Sequence, residues 1–519
     1  MNLSKSSILH SFIFSIFPII YIYSINTIEV SANEIILPIV ISVLITSLFL
    51  LVSRLILRDW TKSGLIVSLL LVLSFSYGHL YKVVNSSVLA SQDVIIRHTY
   101  LLPLFLAVFI IGTILIIRTS IRLDKVKTIV NVVAITLIVI TIPNFVFSET
   151  PVLETINNKN FENVKFEYNL KNLSELNLGT NPPDVYYIIL DGYGGTNRMK
   201  QDLNFDNYDF LSELTKRGFF APDISSSNYP TTGWSLPSSL NMNYLPVKDD
   251  NQSEIEYKFL IDEMNEKNEV MRNFDYLNYE IIEYRTYVVF PENPAYVDQV
   301  LCQKDKSTDS KFNNVLLRTT ILGFFTNHMN LNADRETMLC AFDKLSTLGE
   351  NNEKPIFAFM HFLIPHPPYL FGPNGEDVIG GKSQTVEGSF VGKDQYIGSI
   401  KYANKRILEN VDKILEKNKN SIIVIQSDHG YDFGINYENP SEISLKQRFS
   451  NLNAIYLPGK GKDGFYQGIT PVNTFRIIFN NYFDASYKML DNKMYYSPYG
   501  EHTLYKNTEF NDVTKVILN

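Results

Sequence analysis

The distribution of apolar and polar positions divides the chain near residue 147. Before that point, apolar segments at about 8–25, 35–53, 63–81, 100–117 and 127–147 follow one another with almost no acids among them. Each approaches the ~20 residues needed to cross ~30 Å of hydrocarbon. None alternates with a polar face, as a helix packed on a water-soluble core would. The pattern therefore predicts a five-helix transmembrane region over 1–147. The first segment could also be a cleaved signal, but four more spans follow and no small-residue cleavage site is evident. Residues 148–182 are polar and rich in Asn, a juxtamembrane linker with room for one short helix, closed by Pro182 and Pro183. From 183 the period changes. "DVYYIIL" (184–190), "KPIFAFMHFL" (354–363), 421–427 and "NLNAIYLP" (451–458) read as strands. "YDFLSELTKRGFF" (208–220) reads as a helix closing on Gly218, and 394–417 as a longer helix with apolar residues at helical spacing. Strands alternating with helices predict an α/β fold over 183–519, with a mainly parallel sheet sandwiched by helices.

Charge orients the first half. Lys5 precedes span one; Arg54, Arg58 and Lys62 lie between spans two and three; Arg118, Arg122, Lys125 and Lys127 lie between four and five. The remaining loops hold only Lys82 and Arg97, with Glu29 and Glu34 in the first. By the positive-inside rule the N-terminus is cytoplasmic, and five crossings put everything after 147 outside. Asn33, His79 and His98 sit near span ends, where interfacial solvation accounts for them. Almost no ionisable residue falls within a span, which argues against a transporter. The net charge of −8, with no basic run, argues against a nucleic-acid partner. The two cysteines, Cys302 and Cys340, both fall on the outer side. An oxidising compartment permits a bridge, but spacing alone does not distinguish it from two structural thiols.

Three of the predicted strands end in chemistry-bearing residues. Asp191 follows "VYYIIL", His366 follows "FAFMHFLIP", and Asp428 and His429 follow "IIVIQS". Ligands of open α/β sheets bind beyond the carboxyl ends of the strands. Singly, each has a plain explanation: an Asp before Gly-Tyr-Gly-Gly forms turns, and a His between prolines can be an ordinary loop residue. Together, two acids and two imidazoles at one sheet edge suit a divalent cation such as Zn, Mn or Mg. "SSNYPTTGWSLPSSLNMNYL" (226–245) adds hydroxyls ahead of a helix expected to start near Gly233. A helix N-terminus attracts anions, and a threonine there can serve as a nucleophile; the plain alternative is an N-cap.

"YYIILDGYGG", a Thr before a Ser-rich helix, "HFLIPHPPYLF" and "IIVIQSDHG", in that order over about 183–460, resemble the alkaline phosphatase and sulfatase superfamily. Spans followed by such a domain resemble the architecture of lipoteichoic acid synthases and lipid A phosphoethanolamine transferases. The resemblance implies an alkaline phosphatase-like fold and a metal held by Asp191, Thr232, Asp428 and His429. It makes Thr232 the nucleophile, with Thr231 and Ser235 as weaker candidates, and gives His366 a role in phosphate contact or proton transfer. Ser239 stands where formylglycine maturation needs Arg, so that route is not implied. No histidine follows His429 until His502, which implies one ion unless His361 and His366 build a second site. The expected activity is a membrane-anchored hydrolase or transferase of phosphate or sulfate esters. It would act on a membrane lipid or envelope glycan, moving phosphoglycerol or phosphoethanolamine. The alternative is a non-catalytic envelope protein used for binding or assembly.

Overall fold

The computed structural model describes residues 8–26, 30, 32–86, 98–120, 123–147, 173–247, 254–285, 294–303, 311–350, 353–378, 392–459, 464–498 and 509–518. Most of the expected linker, 148–172, and His502 lie outside them. The chain forms two compact units: residues 1–163 with 305–330, and residues 164–304 with 331–519.

In the first unit the apolar runs form helices α1 (Leu9–Ser24), α2 (Ile36–Leu57), α3 (Trp60–Ser86), α4 (His98–Arg118) and α5 (Asp124–Phe147). Among the described residues, the helical stretches Ala32–Leu57, Trp60–Val84 and His98–Arg118 are long and apolar enough to cross a membrane. Helix α1 has only 16 residues, and α5 opens on Asp124, Lys125 and Lys127. The sequence also expected almost no ionisable residue inside the spans. His10 of α1 is buried, with Nδ1 2.5 Å from Ser68 Oγ of α3 and its backbone N–H donating to Asn131 Oδ1 of α5. Ser11 donates to the Gly64 carbonyl. Small hydroxyls and amides of this kind join apolar helices in lipid, where the hydrophobic effect gives no drive to associate.

The second unit is built on a six-stranded sheet in the order β3-β2-β4-β1-β5-β6. The strands are β1 (Val185–Leu190), β2 (Glu280–Tyr284), β3 (Gln299–Val300), β4 (Ile356–Phe362), β5 (Ile422–Gln426) and β6 (Asn453–Tyr456). All neighbours pair parallel except β5 with β6, which is antiparallel. The sheet is thus mainly parallel, as expected, with an antiparallel edge. Strands β1, β4 and β5 are continuous apolar runs because both faces are covered. Tyr186, Ile188 and Leu190 pack against Ile400, Ala403, Ile407 and Val411 of helix Lys393–Lys417. Val185, Tyr187 and Ile189 point the other way, into Leu236, Phe274, Phe475 and Phe479. Cys302 and Cys340 form a disulfide with a Cα–Cα distance of 6.0 Å.

Candidate metal centre

Strand β1 lies between β4 and β5 in parallel register, so the carboxyl ends of all three open on one edge. Side chains alternate between sheet faces. Asp191 continues the β1 series 185, 187, 189; His361 sits beside Ile189 on β4, and Gln426 beside it on β5, two residues before Asp428. The period-2 pattern therefore carries His361, Asp191 and Asp428 to one face at one edge.

One ligand atom from each of Asp191, Asp428 and His429 lies within 4.8 Å of the others, and all three residues are buried. Asp428 is held from several sides. Thr232 Oγ1 donates to its Oδ2 at 2.6 Å, the Gly192 N–H donates to its Oδ1 at 3.2 Å, and Ser235 Oγ donates to its backbone carbonyl at 2.6 Å. His429 Nδ1 faces the Gly430 carbonyl at 2.9 Å. A carbonyl only accepts, so Nδ1 carries the proton and Nε2 presents its lone pair to the site. That Nε2 lies 3.1 Å from Thr232 Oγ1, 3.3 Å from Asp428 Oδ2 and 3.5 Å from Asp191 Oδ1.

Thr232 is the first residue of helix Thr232–Leu240, preceded by Thr231 in extended backbone. Gly233 and Pro237 make this sequence a poor intrinsic helix. Burial of Trp234, Leu236 and Leu240 holds it in place. Thr232 and His366 are only partly buried, and they open a site whose acids are enclosed. The His366 ring centroid is 6.2 Å from that of His429, and its Nδ1 donates to the Pro367 carbonyl at 2.6 Å. Thr231 Oγ1 is buried without a hydrogen-bond partner. The structure thus brings Asp191, Thr232, Asp428 and His429 into one cluster with His366 at its margin. Ser235 supports the cluster from below, and Thr231 makes no bond to it.

Arg448 escaped the motif reading, and His361 was weighed only with His366 as a second metal site. Arg448 donates from Nε to the Pro230 carbonyl and from Nη1 to the Gly430 carbonyl at 3.1 Å, and its Nη2 lies 3.2 Å from His429 Nε2. Its signal was a cation three residues after the buried Leu445, on the apolar side of helix Glu442–Phe449. His361 Nε2 lies 3.3 Å from Asp191 Oδ2. Its signal was an imidazole within an otherwise apolar strand.

Burial alone would raise the Asp191 carboxyl. The imidazoles of His366, His361 and His429 oppose it and hold the group well below the usual carboxylate range. Burial, reinforced by the Arg448 cation, lowers His429 to about 4 despite Asp428 and Asp191. At neutral pH the cluster therefore offers carboxylate and neutral imidazole. Asp191 Oδ1 is buried and accepts no hydrogen bond. An uncompensated buried carboxylate oxygen is costly unless a cation meets it. By donor set and by this orphaned oxygen, Asp191, Asp428 and His429 fit a divalent metal, with Thr232 Oγ1 able to join them.

A family model described as Sulfatase matches residues 183–477. No curated protein gives a significant match. Among solved structures, the chain is similar to the C-terminal periplasmic domain of EcEptC from Escherichia coli in complex with Zn. That match has 11% identity and a TM-score of 0.43, and covers 67% of this chain and 95% of that one. It is also similar to the integral membrane lipooligosaccharide phosphoethanolamine transferase EptA from Neisseria meningitidis, at 12% identity and a TM-score of 0.39, covering 92% and 96%. A third likeness is to the C-terminal periplasmic domain of phosphoethanolamine transferase EptC from Campylobacter jejuni, at 13% identity and a TM-score of 0.34, covering 59% and 91%.

Proposed function

The chain belongs to the sulfatase family, and from that premise we propose that it is a membrane-anchored, metal-dependent hydrolase or transferase of phosphate or sulfate esters with Thr232 as its nucleophile. The observation that carries this reading is the position of Thr232 Oγ1, 2.6 Å from Asp428 Oδ2 and 3.1 Å from His429 Nε2, at the N-terminus of a buried helix. Asp191, Asp428, His429 and Thr232 would hold the cation. A bound divalent cation supplies positive charge beside the threonine oxygen and the ester's non-bridging oxygens.

The chain's own groups supply the rest. Asp428 accepts the Thr232 hydrogen bond and aims the oxygen out of the cluster. Thr232 Oγ1 passes its proton to Asp428 Oδ2 as it attacks phosphorus or sulfur, the bond to the ester oxygen breaks, and the leaving oxygen takes a proton. His366 stands at the open margin to give that proton or to steady the departing oxygen. Water or an envelope hydroxyl then attacks the covalent Thr232 ester, loses its proton and regenerates the threonine. The N–H groups of helix Thr232–Leu240 and the Arg448 guanidinium offset the negative charge that develops. A lipid headgroup donor and an envelope glycan or lipid acceptor suit a site attached to membrane helices, with phosphoglycerol or phosphoethanolamine as the group moved. The Cys302–Cys340 bridge supports an oxidising, extracytoplasmic location.

The test is the full-length protein incubated with candidate lipids and digested for mass spectrometry of residues 228–240. The wild type should carry an adduct on Thr232. Thr232→Ala should lose both adduct and aryl-ester turnover, with a thermal midpoint close to wild type. Thr231→Ala should keep most activity. Turnover surviving in Thr232→Ala and lost in Ser235→Ala would replace this mechanism with a serine one.

A further inference from the structure

Residues 305–330 interrupt the soluble half between β3 and β4, yet they belong to the first unit. Their described part comprises helix Lys311–Thr319 and the opening of helix Gly323–Leu345. Phe312 and Leu316 are buried among Ile19 and Ile22 of α1, with Ile39 of α2 and Phe75 of α3 packed alongside. Ile321 packs beside Tyr77, Leu101 and Phe105, and its N–H donates to the Ser74 carbonyl of α3 at 3.0 Å. The approach is backbone to backbone. A Cβ at Gly78 of α3 would stand 2.0 Å from the Arg318 carbonyl oxygen and 2.7 Å from Thr319 Cα.

The level of this contact matters. Ser74 lies roughly 18 Å along the axis from the end of α3 at ~1.5 Å per residue. The whole helix is about 40 Å long on the same measure, so it overhangs a ~30 Å core by only about 5 Å at each end if centred. The contact therefore falls inside the hydrocarbon thickness. The opposite side of the segment is uncovered. Val315, Leu322, Phe325 and Met329 are 44%, 51%, 60% and 69% exposed. Leu322, Phe325 and Met329 follow one another at i, i+3 and i+7, on one helix face. The segment 311–330 has no acid, and Arg318 is exposed on it, a side chain long enough to reach phosphate headgroups from an apolar seat.

We propose that residues 311–330 form a second membrane anchor, a re-entrant segment whose face of Leu322, Phe325 and Met329 lies against the acyl chains of the leaflet beside the soluble half. The occupant is lipid because the segment sits on α1, α3 and α4 at a level inside the hydrocarbon thickness, and these apolar side chains are left uncovered by that seat. The inference rests on α2, α3 and α4 crossing the membrane and is independent of the chemistry at Thr232.

The experiment uses the full-length protein in vesicles of phosphatidylethanolamine and phosphatidylglycerol. Spin labels are placed on Leu322→Cys, Phe325→Cys and Met329→Cys, the native cysteines being bridged. Leu44→Cys on α2 serves as the lipid reference and Ile443→Cys as the aqueous reference. Labels at 322, 325 and 329 should match Leu44→Cys, with high collision with oxygen and low collision with a water-soluble nickel chelate. Collision behaviour matching Ile443→Cys overturns the anchor, as does spin–spin broadening at 325, which would put a second copy on this face. Should a cysteine variant fail to fold, Phe325→Trp gives the same answer. Its added fluorescence should be quenched in vesicles with brominated acyl chains, and an unquenched signal refutes the proposal.

Discussion

At the scale of single residues, what could be read from the chain was the interruption of an apolar run. Asp191, Asp428 and His429 stood out because each ends a strand that is otherwise buried on both faces, and the parallel register then makes them neighbours. His361 also interrupts an apolar run, but its place beside Asp191, 170 positions away, was not legible, and neither was that of Arg448 beside His429, across 19 positions. Glu283 is a third such residue. It sits on β2, buried, 3.5 Å from Arg285 Nε, with Oε2 lacking a hydrogen-bond partner. Burial raises its carboxyl from 4.5 to about 7, against the pull of Arg285 and His361. A carboxyl raised in the folded state contributes fully below its unfolded value of 4.5, and that contribution is lost as pH rises through 7. Thermal midpoints of the solubilised protein should therefore fall between pH 5 and pH 8, by a loss on the order of 3 kcal/mol. Glu283→Gln should flatten this slope; an unchanged slope would remove Glu283 as its source.

Elements were legible wherever the apolar run was long or strictly periodic. Strands β1, β4 and β5 and helix Lys393–Lys417 fall where their patterns put them. The direction of β6 was not legible, because an edge strand reads alike in either orientation. Strands β2 and β3 were missed because "EIIEY" mixes acids into a short run and "QV" is too short to have a period. The turn after β5 shows what pattern reading omits. A Cβ at Gly430 would lie 2.1 Å from the Gln447 carbonyl oxygen and 2.3 Å from that of Ser450. Helix Glu442–Phe449 thus presses its last turn onto the loop that carries His429. Gly430→Ala should cost about 1–3 kcal/mol, the usual range for overpacking, and should weaken zinc binding measured by calorimetry because His429 must move with the loop. Retention of both stability and zinc affinity would show that the loop has slack the close approach does not suggest.

For the whole molecule, the sequence divided membrane half from soluble half by composition, and charge asymmetry set the expected orientation. A reporter active only in the cytoplasm, fused after residue 150, should be silent; a bright signal would reverse the topology. The excursion of 305–330 was invisible in composition because its apolar positions are few and the partners that cover them lie at residues 19–105. The bridge between Cys302 and Cys340, 38 residues apart, closes a loop around that excursion. Chain-entropy reasoning gives such a loop about 4 kcal/mol of stabilisation. Replacing both cysteines by serine should lower stability by about 2–4 kcal/mol, read as a shift in the denaturation midpoint. The Ser74–Ile321 hydrogen bond also sets a timetable for biosynthesis. Roughly 250 residues must be made after α3 before its partner exists, which at ~5–20 residues per second takes about 12–50 s. Through that interval the seat on α1, α3 and α4 is without Phe312, Leu316 and Ile321. The bundle therefore reaches its final packing only after residues 183–304 of the soluble half have been translated, and a chain truncated before residue 311 leaves that seat permanently open.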